Sequence, residues 1–334
     1  MRKVRSEEEV KATKRLPAVI MGFMMFLSPR GPILFSSALA ASPHFIGRYT
    51  GTQSGTESPE MVKLRADLVT VVVTVSDSTG NLIQNLDVED FEILEDGIPQ
   101  VITTFSRNSE TPLSLVMIFD ASLSVKNRLR FEKEAFAAFL RAIIRPIDSV
   151  AIFSVSTDVV LQQGFTGDID KLLFAISHVN AQGATALYDA IATAADLLKT
   201  RSGRRAIIIL SDGRDTISRL TLDQALRRAQ EADAVIYAIN TALTSISAEK
   251  RIWPGQQTLD LLCRQTGGEA FFPRDLIELN PIFDRLANEL RMQYVLGFIS
   301  SNERRDGSYR RLTVRIKKPG VLARARAGYY APKK

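Results

Sequence analysis

A carboxylate and two hydroxyls are spaced two residues apart in Asp120-Ala-Ser122-Leu-Ser124, which directly follows the apolar stretch 113–119. Side chains on a loop where a buried strand ends can turn toward one point and offer oxygen atoms to a hard cation. The segment is therefore a candidate metal site. A lone match of this kind is more often a polar loop that closes a strand and caps the next helix.

Two further segments offer oxygen atoms at the ends of predicted elements. Thr185 lies where a helical pattern begins, and Asp212 follows the apolar run 206–210. Oxygen ligands without His or Cys favour magnesium, manganese or calcium over zinc or copper, and we expect magnesium because it usually keeps an outside oxygen among its six ligands. Two carboxylates just balance a divalent charge, so a carboxylate from a partner would still be attracted.

At these positions the sequence resembles the von Willebrand factor type A (VWA) family, whose metal-ion-dependent adhesion site (MIDAS) combines an Asp-x-Ser-x-Ser loop, a Thr and a third-loop Asp. The resemblance implies that the metal ligands are Asp120, Ser122, Ser124, Thr185 and Asp212. It also implies that a Glu or Asp of a partner protein completes the metal shell. Arg214 and Asp215 lie beside this set, where they either adjust its charge or form an exposed loop pair.

Strands and helices alternate between residues 111 and 290, which must position these side chains. Strand candidates are 113–119, 150–155, 159–165, 206–210, 234–240 and 270–272, several of them apolar at consecutive positions. Such strands are covered on both faces. Between them, apolar residues recur at helical spacing, as in Leu187, Ile191, Ala194 and Leu198. The pattern predicts an α/β fold with a doubly wound, mostly parallel sheet, whose ligands bind at the carboxyl ends of strands.

Strand patterns without helices flank this region on both sides. Residues 66–108 and 291–330 need a sheet partner, and we expect them to meet as one flanking β-sandwich. Within the first part, 91–94 and 101–105 are predicted to form a hairpin through Asp96-Gly97. The whole arrangement, up to the closing Gly-Tyr-Tyr330, is similar to VWA-related proteins abundant in Acidobacteria.

The first 40 residues have the layout of an export signal. A charged start is followed by two short apolar runs, and Ala38-Leu-Ala40 has the small residues of a cleavage site. Neither run reaches the roughly 20 residues that span a bilayer. We predict a signal peptide cleaved near Ala40, with an uncleaved anchor as the alternative, and a linker at 41–65. The protein is then exported and is periplasmic, secreted or part of the cell envelope.

Composition excludes several classes of protein. At 334 residues with 45% hydrophobic and 24% charged residues, the chain is neither disordered nor a multi-span membrane protein. Cys263 is the only cysteine, so no internal disulfide forms, and its helical context predicts a small buried hydrophobe. His44 and His178 are the only histidines and lie far apart, which leaves no imidazole cluster for zinc or for a catalytic triad.

The net charge of +6 is concentrated near the carboxyl terminus. Eleven Lys or Arg residues lie between Glu303 and Lys334, against two acidic residues. Arg315 and Lys317 alternate with apolar residues, as do Arg324 and Arg326, which predicts the solvated face of a strand pair. Contact with an anionic envelope surface is the alternative. No aromatic stacking pattern accompanies the charge, so a nucleic acid partner is not expected.

These observations favour a non-enzymatic, exported adhesion or scaffolding protein that binds a partner protein's acidic residue through a divalent metal. Two alternatives stay open. One is a metal-dependent hydrolase, although the three loops offer no Lys, Glu or His as general base. The other is an envelope structural protein that binds through its β-sandwich, independently of metal.

Overall fold

The computed structural model describes residues 68–107, 111–122, 129–180, 183–242 and 254–333. All of them belong to one compact unit, Glu57–Lys334. The predicted leader at 1–40 and linker at 41–65 lie outside the described residues. In the described part of the chain, no helix is both long and apolar enough to cross a membrane.

The regular elements follow one another as a β region, an α/β region and a second β region. The strands are β1 (Leu68–Asp77), β2 (Phe91–Glu95), β3 (Ile98–Gln100), β4 (Ile102–Arg107), β5 (Leu113–Asp120), β6 (Ser149–Val155), β7 (Val159–Thr166), β8 (Arg204–Ser211), β9 (Ala234–Asn240), β10 (Ala270–Phe271), β11 (Tyr294–Ile299), β12 (Tyr309–Ile316), β13 (Val321–Arg324) and β14 (Gly328–Tyr330). The helices are α1 (Leu129–Ile143), α2 (Ile169–Ser177), α3 (Leu187–Lys199), α4 (Leu222–Glu231), α5 (Pro254–Thr266) and α6 (Leu279–Arg291).

The central sheet has six strands in the order β10-β9-β8-β5-β6-β7. Its strands are parallel except β7, which pairs antiparallel with β6 at one edge. Residues of β5, β8 and β9 are almost all buried because helices cover both faces. Helices α1, α2 and α6 cover one face, and α3, α4 and α5 cover the other. The predicted doubly wound α/β fold is confirmed.

The helix and strand patterns explain this layering. On β5, Met117 and Phe119 face the α1 side while Val116 and Ile118 face the α3 side, as the two-residue period of a strand requires. The ring of Phe119 meets that of Phe136 on α1 edge-on, with centroids 5.1 Å apart. Alternating burial on both faces fixes the register of β5, and with it the place where the strand ends.

Two four-stranded antiparallel sheets flank the α/β region. Their orders are β13-β1-β11-β4 and β14-β12-β2-β3, so each sheet combines strands from both ends of the chain. Val71, Val73, Ile93, Leu296 and Phe298 are among the residues buried between them. The prediction of a flanking sandwich built from both chain ends is confirmed.

The predicted hairpin of 91–94 with 101–105 is wrong. Strand β2 pairs instead with the short strand β3, and β4 lies in the other sheet, next to β11. The chain changes sheets at Val101, which is 80% exposed. In the other sheet, β4 packs the partly buried Phe105 against the sandwich core. The alternation of residues within the segment does not reveal this stabilising contact.

The prediction that the basic carboxyl-terminal strands form a purely solvated face is only partly right. Arg311 and Arg315 are exposed, whereas Arg310 is buried and donates to Glu95 at 3.1 Å. Arg326 is also buried and bonds to Asp233. These inward-facing arginines break the simple alternation because carboxylates on neighbouring elements receive them.

A buried polar cluster, here called the Glu289 cluster, joins the sandwich to the α/β region. The Glu289 carboxylate accepts hydrogen bonds from Thr74 of β1 at 3.1 Å and from Tyr237 of β9 at 2.8 Å. It also accepts one from Arg324 of β13, which bonds Glu269 as well, at 2.9 Å. Strands from the two regions thus share one carboxylate.

Cys263 is buried in α5, as predicted. Burial raises the pKa of its thiol far above the usual range, which keeps it protonated and unreactive.

Candidate metal site

Asp120 is the last residue of β5 and is only 1% exposed. One carboxylate oxygen accepts from the backbone amide of Ser122 at 2.9 Å, and the other accepts from the hydroxyl of Ser211 at 2.7 Å. Burial raises the pKa of Asp120 above its usual value, and the nearby Asp212 carboxylate raises it further. Hydrogen bonds from Ser211 and Ser122 lower the pKa, but they do not outweigh the effect of burial. Among the described residues, no Lys or Arg forms an ion pair with Asp120.

The loop after β5 holds the two predicted serine ligands. Ser122 is buried beside Asp120, to which its backbone amide donates. The preceding residue, Ala121, donates its amide to Val155 at the end of β6, at 2.7 Å. This bond extends the β5–β6 ladder by one residue and fixes where the loop starts. Ser124 lies outside the described residues.

Thr185 lies in the loop before α3 and is 5% exposed. Its carbonyl accepts from the amide of Thr216 at 2.9 Å, and its amide donates to the hydroxyl of Thr216 at 2.9 Å. The adjacent Ala186 donates its amide to Ser156 at 3.0 Å, just beyond the end of β6. The loop before α3 is therefore attached both to the loop after β8 and to the end of β6.

Asp212 directly follows β8, and its side chain is 11% exposed. One carboxylate oxygen accepts from the amide of Arg214 at 2.9 Å, and the Arg214 guanidinium lies 3.9 Å from the other. Gly213 has a φ of +78°, and a Cβ there would clash with the Gly255 carbonyl oxygen. Only glycine lets this turn pack against the start of α5.

The three loops meet at one edge of the sheet because β5 and β8 are adjacent and parallel. Phe119 lies opposite Leu210 in the register, so Asp120 and Ser211 emerge side by side. The structure thereby brings together Asp120, Ser122 and Asp212, and it attaches the Thr185 loop to the same group through Thr216. The metal-binding role of these residues stays a prediction.

Two residues that hold the predicted ligands in place, Ser211 and Thr216, were not predicted from the sequence. Ser211 donates to Asp120 while its hydroxyl also accepts from the Gly213 amide at 3.1 Å, and Thr216 joins two of the loops. Ser211 ends a wholly apolar strand next to Asp212, and that placement is the one signal that could have suggested its role. Nothing in the sequence around Thr216 points to its partner Thr185.

Asp215 does not pair with Arg214 but joins the loop after β8 to α3. It accepts from the amide of Tyr188 in the first turn of α3 at 3.2 Å and from the amide of Ser218, also at 3.2 Å. Arg214 pairs with Asp212 instead. An acidic side chain at a helix amino terminus satisfies an amide that has no partner within the helix, so Asp215 fastens the loop after β8 to α3.

The donor set fits a hard divalent cation. Asp120 is a buried carboxylate with a second carboxylate nearby and no cationic partner in the described part of the chain, an arrangement that costs free energy until a positive charge compensates it. Hydroxyls of Ser122 and Thr185 are buried at the same edge. No group of three or more His, Cys, Asp or Glu among the described residues is arranged to hold a metal, so a site here depends on hydroxyl oxygens beside two carboxylates.

Residues 115–214 match the family model of the von Willebrand factor type A domain. The matched segment runs from β5 to the loop after β8 and so contains all the predicted ligands. The protein therefore carries a VWA domain, which confirms the resemblance seen in the sequence and supports a role in protein interaction. No curated protein matches the chain.

Several solved structures are similar to this chain at low identity. The PilB minor pilin from Streptococcus sanguinis has 14% identity and a TM-score of 0.44, and the match covers 55% of this chain and 62% of the pilin chain. The vWF domain of the type V pili tip protein Mfa5 from Porphyromonas gingivalis has 14% identity and a TM-score of 0.45, with 59% and 99% covered. A von Willebrand factor type A protein from Catenulispora acidiphila has 13% identity and a TM-score of 0.45, with 80% and 74% covered. This chain thus spans less than two thirds of the PilB chain.

Proposed function

We propose that this protein is a non-enzymatic, exported adhesion or scaffolding protein that binds a partner protein through a divalent cation of the magnesium type. The ligands are Asp120, Ser122, Ser124, Thr185 and Asp212, and an acidic side chain of the partner completes the shell. When bound, the cation supplies a Lewis-acidic position that attracts a carboxylate.

The observation that carries the proposal is the burial of the Asp120 carboxylate without a cationic partner among the described residues. Its two hydrogen bonds, from Ser122 and Ser211, orient both oxygens but leave the charge uncompensated. A structural carboxylate in this position would ordinarily be paired with Arg or Lys, as Asp148 is with Arg145 at 2.8 Å in the same domain. A charge held in place without a partner is typical of a site that receives a cation.

The residues around this group hold its geometry. The amide of Ala186 donates to the carbonyl of Ser156, Thr216 bonds to the backbone of Thr185, and Ser211 donates to Asp120. These hydrogen bonds hold the described parts of the three loops together. Preformed loops cost little conformational entropy when they bind. Arg214 is exposed beside Asp212, where its positive charge favours the approach of an acidic partner.

Isothermal titration of the purified chain with magnesium and manganese tests the proposal. We expect one binding site per chain in the natural protein and none in the Asp120→Ala variant. Asp284→Ala serves as the matched control, because Asp284 is exposed on α6, and it should bind like the natural protein. Absence of magnesium and manganese uptake by the natural, folded chain would contradict the proposal.

Affinity capture from the native envelope, with magnesium and with chelator in parallel, then tests the partner. We expect a protein that is retained with magnesium and lost with chelator or with Asp120→Ala. A partner whose yield ignores both changes would favour binding through the sandwich instead.

A further inference from the structure

A cavity of about 430 Å³ lies between the sandwich and the α/β region. Strands β1, β4 and β11 line one side, and the starts of β8 and β9 line the other. Strand β8 runs from Arg204 to Ser211, so the cavity and the candidate metal site lie at opposite ends of the same strand. The volume is in the range of pockets that hold a small ligand.

Arg204 lines this cavity and is 5% exposed. One terminal nitrogen donates to the carbonyl of Leu290 at 2.7 Å and to the side-chain oxygen of Gln293 at 3.2 Å. Both acceptors are neutral, and the Nε has no hydrogen-bond partner. Within the described ranges no carboxylate forms an ion pair with Arg204. Burial lowers the pKa of its guanidinium to about 10, the direction expected for an uncompensated buried cation.

The two other arginines that line the cavity share a single carboxylate, that of Asp233. Asp233 bonds to Arg326 and lies 3.7 Å from Arg205. Arg205 further donates to the carbonyl of Arg201 at 2.8 Å and to that of Ala232 at 2.9 Å. Arg204 is thus the cation without a local acidic partner, and two positive charges remain in excess over the single Asp.

We propose that the cavity binds a small oxyanion, either a carboxylate or a phosphate group, through the guanidinium of Arg204. A planar guanidinium forms paired, charge-assisted hydrogen bonds with both groups. Hydroxyls of Thr70, Thr111 and Ser202 also line the cavity and supply neutral donors for the remaining oxygens. The inference does not depend on the metal site.

Titration calorimetry at constant ionic strength, with inorganic phosphate and with succinate as probes, tests the proposal. We expect saturable binding of at least one probe, with phosphate alone or succinate alone identifying the preferred group. Arg204→Gln should weaken that binding at least tenfold. Arg311→Gln, at an exposed position on β12, should leave it unchanged.

A second pair of variants keeps the test decisive if Arg204→Gln fails to fold. Thr104 is exposed on β4 and lines the cavity, whereas its exposed neighbour Thr103 does not. Thr104→Phe should obstruct the cavity and weaken anion binding at least tenfold relative to Thr103→Phe. Equal affinities in these two variants, or no saturable binding of either probe by the natural chain, would overturn the proposal and leave a water-filled gap between the two regions.

Discussion

Ser211 gives the candidate metal site its geometry at the scale of single residues. Its hydroxyl donates to Asp120 at 2.7 Å and accepts from the amide of Gly213 at 3.1 Å. One hydroxyl therefore connects the ends of two neighbouring strands and sets the orientation of a carboxylate on one of them. Ser211 is not itself a predicted ligand, but groups that hydrogen-bond to a metal ligand and orient it commonly lower the metal affinity when they are removed.

We predict that Ser211→Ala lowers magnesium affinity by about tenfold while the protein stays folded. The Asp120 carboxylate would keep its bond from the Ser122 amide but would lose the one that fixes its second oxygen. Calorimetric titration with magnesium measures the change. Ser114→Ala, which removes a buried hydroxyl from the opposite end of β5, is the control and should bind normally. An unchanged affinity for Ser211→Ala would show that Ser122 alone orients Asp120.

The sequence indicated which residue types could bind a cation, but it did not indicate how they are held. Asp120 and Asp212 follow apolar runs, and that pattern places them at strand ends without further knowledge. The contribution of Ser211 depends on β5 and β8 being neighbours in register, and that of Thr216 depends on a loop folding back to Thr185. Contacts between residues distant in sequence leave no local pattern.

At the scale of elements, Asp148 joins three parts of the α/β fold. It lies between α1 and β6, and its carboxylate accepts from the backbone amide of Leu113 at the start of β5 at 2.8 Å. Arg145 donates to it from both the backbone, at 3.1 Å, and the side chain, at 2.8 Å. Burial alone would raise the pKa of Asp148, but these hydrogen bonds and the Arg145 charge outweigh it and hold the pKa below its usual value of 3.8.

We predict that Asp148→Asn lowers the free energy of unfolding at pH 7 by about 2 kcal/mol, since hydrogen bonds to a buried charged group are lost. The folded-state pKa is lower than the unfolded one, so the ionised carboxylate stabilises the protein above pH about 4, and this contribution is lost as the pH falls through the folded-state pKa. The difference between the variant and the natural protein should therefore shrink at acidic pH.

Urea denaturation at a series of pH values measures this difference. Asp284→Asn, at an exposed position on α6, is the matched control and should change stability little at any pH. A difference for Asp148→Asn that stays constant from pH 7 to pH 3 would contradict the assignment.

Periodicity predicted the elements of the α/β region well because both faces of its sheet are buried. The run 206–210 contains no polar residue that could obscure the strand pattern, and the observed strand β8 extends it by only a few residues. The flanking strands are half-exposed and weakly specified. Strand β4 shows this, since its alternating residues fit a hairpin with β2 as well as the observed pairing with β11.

At the scale of the whole molecule, the Glu289 cluster determines how the two regions hold together. Glu289 on α6 receives hydrogen bonds from Thr74 of the sandwich and Tyr237 of the central sheet, together with the charge of Arg324. Removing one partner of a buried ion pair leaves the other charge uncompensated, which costs more than the removal of both.

We predict that Arg324→Leu destabilises the protein by about 3 kcal/mol, and that Arg324→Leu combined with Glu289→Leu costs less than the sum of the two single changes. Chemical denaturation of the four proteins in this double-mutant cycle measures the coupling. The exposed pair Arg315 and Glu92, whose charged atoms are 3.8 Å apart, is the control and should show a coupling below about 1 kcal/mol. Strict additivity at Arg324 and Glu289 would contradict the role given to the cluster.

The sequence predicted the joining of both chain ends because each end offers strands with no helix to cover them. It did not predict which basic residues face inward. Arg324 and Arg326 alternate with alanines as a solvated strand face would, yet Glu289 on α6 and Asp233 in the turn before β9 pack against them. The position of a carboxylate far along the chain decides whether an arginine is at the surface or in an interface.

Strands β4 and β11 pair antiparallel from Arg107, opposite Tyr294. The polypeptide thus leaves the sandwich and re-enters it at neighbouring points, so that the entire α/β region occupies the place of a hairpin turn. Each doubling of a connection's length adds only about 0.6 kcal/mol of closure entropy, and a two-strand ladder of this kind can accept an insert of almost any size whose ends lie close together. The α/β region is in this sense a long insertion within one hairpin of the sandwich, and any domain put in its place would have to supply new carboxylate partners for Arg324 and Arg326.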